Sequence, residues 1–204
     1  MKKNGFTLIE VLVALILVSV AFMGMTRLLF ESRKQIQEVQ QRSVALNLAN
    51  DLIGRMTANP GALEKYEKAE IKDIVSLTKN CQSSTDCNAD QMAAYDLNQW
   101  SRSLVGRTIK EGDNSVGGLV TPVACIDVDG QDVTLSIAWR GKQAQKETTE
   151  PVNDADGNPV LDTDGNPVLD GRGTRPCGKD DANFKQVVNN DLRRLLEVTT
   201  TIGS

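Results

Sequence analysis

The sequence predicts an α+β protein: one long N-terminal helix, membrane-spanning in its first half and amphipathic in its second, packed on a small antiparallel sheet. Three observations predict it. Residues 6–26 form an almost unbroken apolar run, at roughly 20 residues long enough to cross a bilayer as one helix. Apolar residues then recur at helical spacing until Asn59-Pro60-Gly61, where proline cannot continue the hydrogen-bond ladder and Asn-Pro favours a turn. Later, two runs of alternating apolar and polar residues flank Asp129-Gly130, a two-residue hairpin signal.

The N-terminal run is preceded by Lys2, Lys3, Asn4 and Gly5, and its only ionised group is Glu10. A carboxylate in hydrocarbon costs about 2.5–3.5 kcal/mol even on insertion scales, so it calls for a partner. No Lys or Arg lies within the run. A cation appears if the bond after Gly5 is cut, because the α-amine of Phe6 then ends the apolar segment. Glu10 lies about one helical turn away, within reach of its own amine or of a neighbour's.

The segment Gly5-Phe6-Thr7-Leu8-Ile9-Glu10-Val11 resembles the class III leader and mature start of type IV prepilins. The resemblance implies a prepilin peptidase that cuts after Gly5 and methylates the Phe6 amine. It also implies that Glu10 pairs with the N-terminus of an adjacent subunit during filament assembly. The expected organisation is a leader at 1–5, a transmembrane helix half at 6–30, and a head at 31–204 that includes an amphipathic helix half at 31–57. An ordinary secretory signal is the competing reading, since Ser19-Val20-Ala21 offers small residues for a signal peptidase. Against it, the apolar run continues through Phe22, Met23 and Met25, and an acid sits inside it.

With 204 residues the length suits one modest domain plus a membrane segment. The formal charge is −4, and loss of Lys2 and Lys3 with the leader leaves 21 of 23 basic residues against 27 acidic, or −6. An acidic, aromatic-poor chain is poorly suited to nucleic acid, which is bound by displacing counterions with Lys and Arg. There is no histidine. That removes Ser-His-Asp and Cys-His nucleophiles and any imidazole zinc site. No catalytic residue, metal ligand set or cofactor is expected, and the protein is read as not an enzyme.

Cys81, Cys87, Cys125 and Cys177 include no Cys-x-x-Cys, so zinc and thioredoxin-like readings are weak. An even count after an export segment points to disulfides in an oxidising compartment. Three pairings are open. The favoured one joins Cys81 to Cys87 in a tight loop and Cys125 to Cys177 across a long one, the latter worth about 3–5 kcal/mol on the chain-entropy model.

The first helix is expected from Phe6 to Thr57, roughly 75–80 Å. Ile36, Val39, Leu46 and Ile53, with Ser43 and Ala49 between them, form a 3-4-3-4 stripe that should face the head. Residues 61–79 read as a charged, loosely helical connection. An amphipathic helix follows over 89–104, burying Met92, Tyr95, Leu97, Trp100 and Leu104; Trp100 is read as core rather than a ligand platform. The sheet begins near Gly118, with Val120, Ala124, Ile126 and Val128 on one face. Val133, Leu135, Ile137 and Trp139 form the inner face of the return strand. The last strand, 194–202, places Leu196, Val198, Thr200 and Ile202 together, and Val187-Val188 form a short candidate partner strand. The helix's amphipathic half is the obvious cover for the sheet's apolar face.

Between the strands, residues 143–180 are polar and contain an eight-residue repeat in which Asp-x-Asp-Gly-Asn-Pro-Val-Leu starts at Asp154 and again at Asp162, followed by Asp170-Gly171. Asp-x-Asp-Gly resembles the start of a calcium loop, but no third acid follows at the next alternate position and no Glu closes the loop. A solvated array of turns is the default.

The stretch ending Arg55-Met56-Thr57-Ala58-Asn59-Pro60, and the closing Leu196-Glu197-Val198-Thr199-Thr200-Thr201-Ile202, narrow the resemblance to the minor pilins called PilV, or type IV pilus modification proteins. This implies a low-copy subunit of a priming and tip complex. Its head would stand in the periplasm before assembly and at the pilus surface or tip afterwards, supporting adhesion and twitching motility. Implied partners are other minor pilins and the major pilin, the prepilin peptidase, the inner-membrane assembly platform, the lipid bilayer and, as a further candidate, a tip adhesin. A type II secretion pseudopilin and a DNA-uptake pilin are the alternatives.

Overall fold

The computed structural model describes residues 7–77, 79–82, 86–107, 110–111, 114–115, 117–144, 158, 177–179, 181–186 and 192–203. It divides into two compact units, Met1–Val39 and Gln40–Ser204. The first helix, α1, runs Leu8–Ala58. In the first unit every described side chain but Glu38 is exposed, including Leu12, Leu15, Phe22 and Phe30. The helix is long and apolar enough there to cross a membrane. Its two hydroxyls in the apolar run are satisfied locally: Ser19 Oγ donates to the Leu15 carbonyl and Thr26 Oγ1 to the Phe22 carbonyl, each at 2.7 Å. Such back-bonding is how a helix carries Ser and Thr through an apolar environment.

In the second unit the end of α1 is followed by a 3-10 turn, Pro60–Ala62, and a short helix α2, Leu63–Tyr66. Strand β1 (Lys68–Ile71) and helix α3 (Ala89–Leu104) come next. A small hairpin, β2 (Lys110–Glu111) and β3 (Asn114–Ser115), precedes the long strands β4 (Val123–Asp129) and β5 (Asp132–Arg140). A 3-10 turn at Ala182–Phe184 leads to β6 (Arg193–Thr201). The main sheet is antiparallel in the order β1-β4-β5-β6. The α+β architecture with a small antiparallel sheet is the one the sequence predicts.

Asp129 pairs with Asp132, and Gly130 takes a φ of +61° between them, the left-handed backbone a two-residue hairpin requires. A second use of glycine occurs at Gly106 and Gly118, with φ of +77° and +81°. There two backbone segments touch, so that a Cβ on Gly106 would overlap the Gly117 carbonyl. The contact closes the base of the β2–β3 excursion, reinforced by Leu119 N–H donating to the Leu104 carbonyl at 3.1 Å.

One core joins Ala45, Leu48, Ala49, Leu52 and Met56 of α1 to Leu97, Trp100 and Leu104 of α3 and to the inner face of the sheet. That face is Ala124, Ile126, Val133, Leu135, Ile137 and Trp139, flanked by Leu196 and Val198. Trp100 is fully buried and donates its indole N–H to the Leu48 carbonyl at 2.8 Å, fastening α3 to α1. On the outer face a smaller cluster forms from Val123, Ala138, Cys177 and Phe184. Cys81 is bonded to Cys87 and Cys125 to Cys177, with Cα atoms 5.9 and 5.7 Å apart. The second bond ties the 177–186 segment onto β4, and Lys72 Nζ beside Asp181 at 3.1 Å ties it to the end of β1.

Several expectations require correction. The head-facing side of α1 is 45-48-49-52-56, not the expected stripe: Ile36, Val39, Ser43 and Leu46 are exposed, and only Ala49 belongs to both. Ala45 and Ala49 at the contact let the helix approach closely, and Leu48, Leu52 and Met56 fill the core beside them. Residues 61–79 hold buried Leu63, Tyr66 and Ile71 and an edge strand, because β4 offers a free edge there. The strand expected from Gly118 starts only at Val123, since Gly118 and Thr121 (φ +44°) both leave extended backbone, and Val120 is exposed. In α3, Met92 and Tyr95 are half-buried while Ala93 and Asp96 take the buried positions. Val187-Val188 and the Asp154–Asp170 repeat, apart from Asn158, lie outside the described residues.

Two measurements check this packing. Leu52→Ala should lower the unfolding free energy by about 2–5 kcal/mol, whereas Leu46→Ala should change it by no more than about 0.5 kcal/mol, both read by urea unfolding of the full chain. The second concerns pH. The Asn183 backbone N–H and then Lys72 hold the Asp181 carboxyl below its ordinary range. A depressed folded value gives stability that is present above the unfolded pKa and lost as pH falls through the folded one. Asp181→Asn should therefore be less stable than the parent at neutral pH, with the two converging below about pH 4.

Candidate assembly site

Glu10 sits in the first turn of α1, where the free N–H groups and the helix dipole favour negative charge. Its own N–H donates to the Thr7 carbonyl at 3.1 Å, as does that of Val11 at 3.3 Å. The side chain is exposed and shares a shallow cleft with Val11, Ala14, Leu15 and Val18, almost wholly apolar in its lining. Among the described residues no basic side chain pairs with it. A carboxylate beside an apolar cleft, one turn from the start of a helix, can receive a cation from another chain or from the N-terminus. Gly5 and Phe6 lie outside the described residues.

At the other end of α1 the Arg55–Asn59 segment is a clamp. Met56 is fully buried in the core. Arg55 Nε lies 3.2 Å from both Asp51 carboxylate oxygens, and its Nη1 donates to Asp96 Oδ1 at 3.1 Å. Tyr66, fully buried, donates its hydroxyl to Asp96 Oδ2 at 2.7 Å. Asn59 Nδ2 donates to the Tyr66 hydroxyl at 3.3 Å and to the Ala89 carbonyl at 2.9 Å. Burial opposes the charge on Arg55, but hydrogen bonds and attraction from Asp51 and Asp96 prevail and raise its pKa. Burial, with the Asp96 charge, pushes the Tyr66 hydroxyl well above its ordinary value, so it stays a donor. The geometry makes Arg55, Asn59, Tyr66 and Asp96 one network joining α1, α2 and α3.

The sequence points to Glu10 by its isolation and to Arg55 and Asn59 by resemblance, but not to Tyr66 and Asp96. The signal available for Asp96 is its place on α3 beside Leu97, one position into the buried face. Among the described residues no group of three or more Cys, Asp or Glu is placed to hold a metal ion. Cys81, Cys87, Cys125 and Cys177 all serve the two crosslinks.

Two comparisons bear on these features. The family model described as type IV pilin Tt1218 matches residues 30–98, which span the second half of α1, α2, β1 and most of α3. The model described as the prokaryotic N-terminal methylation motif matches residues 1–26, the basic start and the apolar run with Glu10. No curated protein and no solved structure matches the chain.

Removing the phenol hydroxyl tests the clamp. Tyr66→Phe takes one hydrogen bond from a buried carboxylate and should cost about 1.5–3 kcal/mol of unfolding free energy, measured by urea unfolding, without changing secondary structure by circular dichroism.

Proposed function

We propose, from the premise that this chain is a type IV pilin-like protein of the class III prepilin type, that it is a minor subunit of a type IV pilus. On this reading the leader 1–5 is removed, the new Phe6 amine is methylated, and residues 6–30 hold the subunit in the inner membrane as a single span. The head, 31–204, stands in the periplasm. It joins other minor pilins in a priming complex, starts the filament with the major pilin on the assembly platform, and ends at or near the tip. There it supports adhesion and twitching. The likeness of residues 43–60 and 196–202 to the PilV minor pilins is what favours the minor over the major subunit, and the pilus over a type II secretion pseudopilus.

One observation carries the reading. Glu10 is the only ionised residue between Lys3 and Arg27, and it lies on an exposed apolar helix with no basic partner among the described residues. Left in hydrocarbon alone it costs a few kcal/mol. Paired with the amine of a neighbouring subunit it becomes favourable, because attraction between unit charges grows as the dielectric falls. Lateral association of apolar helices then acquires a fixed axial step, set by the distance from Glu10 to the amine. Assembly follows from helix packing and charge pairing, with no covalent chemistry by the subunit itself.

Glu10→Ala tests this. The variant should be processed to a methylated Phe6 terminus by mass spectrometry and keep the parent's head stability, yet be missing from sheared filaments. Normal incorporation of that variant overturns the proposal.

A further inference from the structure

Charges bracket the apolar part of α1. After Glu10 the next ionised residue is Arg27, and Glu31, Arg33 and Lys34 follow closely on the same unbroken helix, all exposed. Glu31 lies 3.8 Å from Lys34 Nζ and takes up part of that cation's charge. Among the described residues no carboxylate stands within ion-pair distance of Arg27 or Arg33. Leu28, Leu29 and Phe30 between them are exposed as well, so apolar and cationic side chains share one level of the helix.

Helix geometry says what that level meets. Arg27 stands about 25 Å along the axis from Glu10, against a hydrocarbon core of about 30 Å. With Arg27 at the boundary where α1 leaves hydrocarbon, Glu10 falls within about 5 Å of the opposite boundary. Arg33 and Lys34 then stand about 9–10 Å further out, at the outer limit of the headgroup layer. Lys34 lies above Arg27 on one helix face and Arg33 on another, so the phosphate layer is met from two sides. Cations beside a span ordinarily gather on its cytoplasmic side. On the pilin reading this chain does the reverse: Arg27, Arg33 and Lys34 lie beyond the span, while only Lys2 and Lys3 precede it and leave with the leader. Cations kept against that bias call for a use of their own.

We propose that Arg27 and Arg33, assisted by Lys34, hold the phosphates of anionic phospholipids in the leaflet through which α1 leaves the membrane, and that this grip sets the depth of the helix. A guanidinium presents a planar fork of donors that matches phosphate oxygens two at a time. A phospholipid fits better than a protein carboxylate because the bilayer itself brings phosphate to this level on every side of the helix. At the gripped depth Glu10 reaches interfacial water and is not stranded. Lifting α1 by two turns, about 11 Å, carries Glu10 into hydrocarbon, where a neighbour's amine becomes necessary. The lipid contact thus holds the carboxylate at the boundary until assembly raises the chain. The inference rests on the membrane-anchored pilin reading above and concerns the subunit before it enters a filament.

The test reconstitutes the full chain in vesicles of phosphatidylcholine, alone or mixed with phosphatidylglycerol. Lipid retained by the protein is identified by native mass spectrometry. Depth is read from Phe22→Trp fluorescence, quenched by phospholipids brominated near the headgroup or near the chain end; Trp100 and Trp139 are buried in the head and give a constant background. The parent should retain phosphatidylglycerol in preference to phosphatidylcholine. Arg27→Gln with Arg33→Gln should weaken that preference about tenfold or more and let α1 sink, so that quenching by the deep label rises. Arg27→Lys with Arg33→Lys keeps the charges and should keep the parent's depth. Equal retention of the two lipids, or a depth and lipid preference indifferent to the Gln variant, overturns the inference. So does a Gln variant that alters only self-association of the chain, since the cations then serve a second protein. Absence of Glu10→Ala from filaments together with no lipid preference would remove the lipid grip alone and leave the pilin reading standing.

Discussion

A carboxylate taken almost entirely out of water is the constraint on which the head depends. Asp96 is 8% exposed, and an unpaired charge so placed would shift the balance against folding by several kcal/mol. It is tolerated because Tyr66 and Arg55 reach it from different elements of the fold. Tyr66 must therefore close α2 beneath α1, Asn59 must turn the chain, and α3 must approach α1 at the Arg55 level. Trp100 makes the same demand two turns away by seeking the Leu48 carbonyl. Between them these contacts fix where α1 enters the core, and the sheet then completes it from the other side.

Glu10 and Asp96 show two opposite treatments of the same chemical group. Asp96 is enclosed with its partners supplied by its own chain, so its charge is spent on tertiary structure. Glu10 is exposed, next to an apolar cleft, with no such partner among the described residues. On the proposed reading its charge is reserved for a neighbour. The family matches divide along the same line: one spans the N-terminal run with Glu10, the other the segment with Arg55, Tyr66 and Asp96.

Legibility of the fold followed the strength of local signals. Helix α3 occupies Ala89–Leu104 because Asn88 and Gln91 build a capping box at its start and a strong apolar period runs its length. The β4–β5 hairpin was readable from Asp129-Gly130 and the clean alternation after it. The contact face of α1 was not readable, because the chain carries two 3-4 stripes of similar side-chain size that share Ala49, and only α3 and the sheet decide which one packs. Small residues such as Ala45 and Ala49 give little hydropathy signal yet permit the closest approach. Strand β1 was hidden for a related reason: Lys68-Ala69-Glu70-Ile71 has one large apolar residue, and it is a strand only because β4 lies beside it. At the candidate site Glu10 stood out by being alone among apolar neighbours, whereas Tyr66 and Asp96 gain meaning only once three helices bring them within hydrogen-bond distance.

The crossing at Gly106 and Gly118 has a consequence for how this protein can diverge. Two bare backbones in contact fasten the ends of residues 107–117 together independently of anything those residues do. Whatever lies between the two glycines can lengthen, shorten or change character while the strands after it keep their positions. Such a stitched loop is raw material for variation: related chains are free to display different surfaces there at little cost to folding, provided neither glycine gains a side chain.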